Sequence, residues 1–241
     1  MVKPTPLGAL QARIVAPNAG PATPLDDAAR GGPVLVLLHG FGAPGDDLVP
    51  LWKVLGAPSD TRFVFPAAPL DLGPLYMGGR AWWPIDFEER LMRRMRGDHG
   101  EDDVPPGLTD ARSKVLTLLD EVERTLRPSR LVLGGFSQGA MLSLDVALHG
   151  THHLDGLVLL STTQLAREVW EPRYASLTKV PVFMSHGRED ELLPFFVTER
   201  LRDRMRAASV DVEWVEFHGG HGIPPEVIGP LQAFLQRTLS A

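Results

Sequence analysis

The chain has 241 residues, 44% of them apolar and 22% charged, with a formal net charge of −6, which allows one sizeable core and is short for two. The acidic balance gives no electrostatic reason to expect nucleic acid as a partner, and the absence of cysteine excludes a disulfide framework, a thiolate nucleophile and any cysteine-ligated metal. No apolar segment follows a basic start, and no run approaches the roughly 18 apolar residues that span a bilayer. A cytoplasmic protein of one domain, residues 1–241, with no integral membrane segment, is the expectation.

Taken in order, residues 9–16 (ALQARIVA) read as an edge strand. Residues 17–33 read as a surface loop, because Pro17, Pro21, Pro24 and Pro33 offer no ladder donors. Val34–Leu38 (VLVLL) has the all-apolar character of a strand buried on both faces, and a glycine-rich turn, His39-Gly40-Phe41-Gly42, follows it at once. A helix is expected over Asp46–Leu55 and a strand over Arg62–Phe65.

Residues 70–107 form an irregular, partly helical insertion. Its adjacent Trp82 and Trp83 either pack one in and one half-out or line a substrate pocket. Phe87, Leu91, Met92 and Met95 recur at helical spacing among outward arginines. Methionines of this kind are flexible enough to cover an acyl pocket, and the segment from Tyr76 through Met77 and Met92 to Met95 is also a candidate docking surface for a lipidated protein. Asp110–Leu126 is a helix with Thr109 as its N-cap. Further on come strands at Gly156–Leu160 and Val180–His186, a helix from Pro194 to Ala208, an edge strand at Asp211–Phe217 and a closing helix from Pro224 to Leu239. Strands alternating with helices imply a mostly parallel central sheet with helices on both faces.

Within that alternation, Arg130–Leu148 carries the chemistry. Leu131–Leu133 ends in paired glycines, and Ala140–Leu148 has helical spacing, so Ser137 sits between strand and helix in Gly135-x-Ser137-x-Gly139. The five-residue pattern alone arises by chance in roughly one chain in ten of this length. A buried strand before it and a full helix after it are the context a nucleophile elbow requires. The N–H of Gln138 then points into the same space at a positive helix end. A serine hydroxyl needs a base. Of eight histidines, His218 and His221 lie in the loop between the last strand and the last helix, where the chain order of serine, acid, base places it. His221 is preferred because Gly219, Gly220 and Gly222 give its backbone freedom to reach, and two histidines at i, i+3 without further ligands make a poor metal site. His39 reads as a residue that shapes the glycine turn. The orienting acid follows the strand Val180–His186, where Glu189, Asp190 and Glu191 all qualify by spacing.

These segments together resemble the phospholipase/carboxylesterase branch of the α/β-hydrolases, the group that includes acyl-protein thioesterases and small bacterial carboxylesterases. The matching stretches are LLHGFG (Leu37–Gly42), GGRAWWPID (Gly78–Asp86), LVLGGFSQGAMLSL (Leu131–Leu144), HGRED (His186–Asp190) and GGHGIPPE (Gly219–Glu226), in family order. The resemblance implies an α/β-hydrolase fold with Ser137 as nucleophile, Asp190 as acid and His221 as base, and the N–H groups of Phe41 and Gln138 as oxyanion donors. It implies hydrolysis of a carboxylic ester or thioester, free or carried by a lipid or protein, through an acyl-enzyme, with no cofactor or metal. From the tryptophan pair and the methionines themselves, a substrate pocket is expected near Trp82, Trp83, Met77 and Met92. Two departures fall where substrate would touch: the segment Trp82-Trp83-Pro84-Ile85-Asp86 and a long charged stretch from Phe87 to Pro106. A lactone hydrolase or peptidase on the same scaffold, or a non-catalytic ligand-binding homologue, are the competing readings. No residue demands a homodimer over a monomer.

Overall fold

The structure, a computed structural model, describes residues 2–16 and 31–240. Most of the expected surface loop, residues 17–30, lies outside the described residues. Ten strands appear in chain order: β1 (Pro4–Leu7), β2 (Leu10–Val15), β3 (Val34–Leu38), β4 (Arg62–Ala67), β5 (Leu70–Asp71), β6 (Arg80–Ala81), β7 (Leu131–Phe136), β8 (Gly156–Leu160), β9 (Val182–Gly187) and β10 (Val212–Phe217). The helices are α1 (Phe87–Met95), α2 (Leu108–Leu126), α3 (Gln138–His149), α4 (Arg167–Trp170), α5 (Phe195–Ala207) and α6 (Pro225–Leu239).

Eight strands form one sheet in the order β1-β2-β4-β3-β7-β8-β9-β10, and β5 and β6 pair as a separate ribbon. From β4 to β10 every neighbour is parallel, and only β2 runs against the rest. Alternate side chains of β3 go to opposite layers, with Val34, Val36 and Leu38 packing among α2 and α3 and Leu35 and Leu37 packing among α6. The all-apolar strands β3 and β8 are buried throughout because helices cover both faces. The architecture is that of an α/β-hydrolase, and the ends of β3, β7, β9 and β10 converge on one edge of the sheet.

Four expectations change. The strand read over 9–16 is β2, which is internal; β1 lies outside it, joined through Gly8 at φ +60. In place of a helix over Asp46–Leu55 there is a 3-10 turn, Val49–Lys53, since Pro50 has no N–H to continue an α-helix. Thr109 does not cap α2. The helix starts at Leu108 after Gly107, whose φ of 91 turns the chain in and whose carbonyl accepts from Ala111 N–H. The α4 turn and the 3-10 run Glu171–Leu177 were not anticipated. They are held by tertiary contacts: the buried Trp170 indole donates to Asp145 Oδ1 at 2.8 Å, and the buried Tyr174 hydroxyl donates to Gln164.

Candidate active site

Ser137 follows β7 with φ 54 and ψ −119, a conformation that costs a residue with a Cβ about 1–3 kcal/mol. What forces it is the closeness of β3. A Cβ on Gly139 would collide with the carbonyl of Leu38, and one on Gly135 would lie 2.7 Å from the same oxygen. The chain leaving β3 therefore crosses directly over the first turn of α3, and only glycine at both flanks permits it. Gly40 lies so close that a Cβ there would be 3.3 Å from Ser137 Cβ, and Phe41 follows it in the chain. Among the described residues neither Phe41 N–H nor Gln138 N–H has an acceptor. For Gln138 this follows from its place as first residue of a helix.

The turn carrying Phe41 is held from three sides. Gly42 N–H donates to Arg80 O, and Arg80 N–H donates to Ala43 O. His39 accepts from Ala68 N–H at Nε2 (2.9 Å), which leaves Nδ1 protonated to donate to Gly40 O (2.8 Å). Burial pushes the His39 imidazole down to about 4, consistent with a neutral ring fixed in this tautomer. The Trp82 indole donates to His39 O, and its backbone N–H donates to the Gln138 side chain, which in turn donates to Trp83 O.

Asp190 is the carboxylate that meets His221. Its Oδ2 lies 2.7 Å from His221 Nδ1, while Oδ1 accepts from the N–H groups of Leu192 (2.9 Å) and Leu193 (2.8 Å). Burial works to raise this carboxyl, but hydrogen bonds from His186 and His221 and from Leu193 N–H outweigh it and hold it well below the usual carboxylate range. His186 is fully buried. Its Nε2 lies 2.8 Å from Leu193 O, so that nitrogen carries the proton, and the same N–H lies 3.2 Å from Asp190 Oδ2. No spacing rule marked His186 for this position. Glu189 instead faces the exposed His218 at 3.6 Å.

The loop carrying His221 is anchored to the same strand ends. Glu189 N–H donates to Gly219 O, Ser161 Oγ donates to Gly222 O at 3.2 Å, and Ser137 N–H donates to Leu160 O at 2.9 Å. Consecutive residues at the end of β8 thus tie the serine and the histidine loop together. The His221 ring lies against Phe136 with centroids 4.8 Å apart. Among the described residues no hydrogen bond joins Ser137 Oγ to His221 Nε2.

The pocket residues separate. A cavity of about 370 Å³ opens beside the site, with Trp83, Ile85, Arg90, Leu165 and Leu192 in its walls. Trp82 is buried behind it as the anchor described above rather than in the cavity wall, so neither tryptophan is half-exposed. Met77 is 93% exposed and Met92 51%, and both stand outside the cavity because their backbone carries them to the outer face of the insertion. Among the described residues no helix is long and apolar enough to cross a membrane.

The sequence profile of the phospholipase/carboxylesterase family matches residues 26–239. An acyl-protein thioesterase 1 from Emericella nidulans is 29% identical over 220 residues, covering 86% of this chain and 90% of that protein. One from Gibberella zeae is 28% identical over 221 residues, covering 85% and 90%. Among solved structures, the esterase PE8 superposes with a TM-score of 0.75 at 25% identity, covering 96% of this chain and 99% of its own. Zea mays acyl-protein thioesterase 2 shares the fold, with a TM-score of 0.71 at 22% identity over 95% and 99% of the two chains. The profile match takes in every element from β3 to α6, and the chain belongs to the phospholipase/carboxylesterase family.

Proposed function

We propose that the protein is a serine hydrolase that cleaves carboxylic esters or thioesters through an acyl-enzyme on Ser137. The observation that carries this reading is the 2.7 Å contact of Asp190 Oδ2 with His221 Nδ1. That contact fixes the tautomer with Nε2 free to accept a proton, in a loop tied, like Ser137, to the end of β8. His221 Nε2 takes the proton of Ser137 Oγ as the oxygen attacks the acyl carbon, and it returns the proton to the leaving alcohol or thiol. Water attacks the acyl-enzyme in the second half, with His221 again the base. The negative charge on the carbonyl oxygen falls to the N–H groups of Phe41 and Gln138, each worth about 10²–10³ in rate. Because the Asp190 carboxyl is held low, it stays ionised to stabilise the imidazolium formed in each half-reaction. The acyl-protein thioesterase relatives support an acyl substrate.

The test is labelling of the purified protein by a fluorophosphonate probe together with turnover of ester and thioester series of increasing acyl length. Labelling that vanishes in Ser137→Ala, with hydrolysis vanishing beside it, is the expected result. Labelling that persists in that variant, or wild-type protein inert toward every ester and thioester, overturns the assignment.

A further inference from the structure

The cavity beside the site carries one arginine, Arg90, whose guanidinium has no hydrogen-bond partner among the described residues. The arginines around it have partners, and the cavity wall also carries the carboxylates of Asp86, Glu89, Asp98 and Asp103. Arg93 binds both Asp98 and Asp103, Arg167 binds Asp102 at 2.8 Å, Arg204 binds Glu101 at 2.9 Å, and Arg94 donates to the carbonyl of Glu191. Asp86 spends its carboxylate on the N–H of Glu89 as the cap of α1. Arg90, in the cavity wall and half-buried, has no hydrogen bond or ion pair from its guanidinium among the described residues. Its surroundings are mixed: burial pushes its pKa down, Arg94 and Arg93 add to that, and Asp103 and Asp190 oppose it. A guanidinium withdrawn from water with no anion in contact is destabilising until a ligand supplies one.

The cavity is part of the site's own surroundings. Leu192 in its wall donates its N–H to Asp190, and Trp83 accepts from the side chain of Gln138. Its volume of about 370 Å³ suits a small-molecule ligand, and Trp83, Ile85, Leu165 and Leu192 offer apolar contact to a carbon chain. A planar fork donating two parallel N–H bonds fits a carboxylate or a phosphate oxygen pair.

We propose that Arg90 binds an anionic group of the substrate, carboxylate or phosphate, so that the protein prefers esters carrying negative charge remote from the scissile carbonyl. The proposal rests on the hydrolase reading above and names the substrate class of that same site. The test compares three esters of one leaving group: 4-nitrophenyl hexanoate, the 4-nitrophenyl monoester of adipic acid, and the 4-nitrophenyl ester of 5-phosphonopentanoic acid. Wild type, Arg90→Gln and Arg90→Lys are compared by the ratio of kcat/KM for each anionic ester to that for hexanoate.

In Arg90→Gln the ratio drops about 10–100-fold, the range for a charge-assisted contact, carried by KM, and Arg90→Lys restores part of it. A drop for adipate alone assigns a carboxylate, and a drop for the phosphonate alone assigns a phosphate. A ratio equal in wild type and Arg90→Gln for both anionic esters overturns the proposal while leaving hexanoate turnover, and with it the hydrolase reading, intact. Absence of turnover on all three esters in wild type falls instead on the hydrolase reading.

Discussion

Ser137→Gly is expected to abolish hydrolysis and to stabilise the fold relative to Ser137→Ala. Ser137 holds φ 54 and ψ −119, the mirror image of an ordinary extended conformation, which glycine enters without penalty and alanine does not. The strain retained by alanine is about 1–3 kcal/mol. Against it stands the larger conformational entropy that glycine gives the unfolded chain, about 0.4–1 kcal/mol. The balance favours glycine by about 1 kcal/mol, or a melting temperature higher by about 2–4 °C for a chain of this size. At exposed helical or strand positions the same exchange has the opposite sign, so the direction alone is diagnostic. Thermal melts of the two variants, followed by far-UV circular dichroism at pH 7, supply the measurement. Ser137→Gly melting at or below Ser137→Ala would show that the turn is not strained and that the close approach of Leu38 does not force it.

Stability should also fall with acidification because of His39, whose pKa of about 4 in the fold compares with about 6.5 in the unfolded chain. Between those values only the unfolded state takes up the proton, so the stabilisation is complete above about pH 6.5 and is lost as pH falls toward 4. The loss between pH 7 and 4.5 is about 2 kcal/mol, and urea titrations of wild type and His39→Gln at the two pH values should differ by that amount. Parallel pH dependence in the two proteins would exclude His39 as its source. Asp190, held low, adds its own loss only below the ordinary carboxylate range, so the two windows separate. Asp190→Asn should reduce kcat about 10³–10⁴-fold with little change in KM, because the amide no longer holds His221 in the tautomer that accepts at Nε2. Steady-state kinetics on a 4-nitrophenyl ester would detect it, and a loss carried by KM instead would point to a binding role.

The strands β3 and β8 were legible at their observed ends, since a strand covered on both faces must be apolar at every position. Where the sequence misled, the cause was an interaction distant along the chain. Nothing near residues 46–55 except Pro50 betrays the short 3-10 turn, and the α4 segment depends on Asp145, which lies 25 residues before Trp170 and is 1% exposed. At the site, spacing left Glu189, Asp190 and Glu191 level. What separates them is the backbone course after β9, which aims the amides of Leu192 and Leu193 at Asp190 and turns Glu189 to solvent. His186 was invisible for the same reason: its contact with Asp190 arises from how the loop folds back. Met77 and Met92 were read as pocket residues from their chemistry, but on a short insertion nothing in the sequence tells which face of the ribbon or helix turns inward.

No side chain of helix α1 is fully buried. It and the loop after it are fastened by Arg93 to Asp98 and Asp103, and the loop is fastened to α4 and α5 by Arg167, Arg200 and Arg204. The exposed clasps among these are worth about 0–1 kcal/mol each and are weakened as the Debye length shrinks to about 3 Å in 1 M electrolyte. The reacting groups are held by main-chain contacts at strand ends, which dissolved ions do not reach. Ionic strength is therefore expected to loosen the wall of the cavity that α1 forms, while the sheet and its melting point stay nearly where they were.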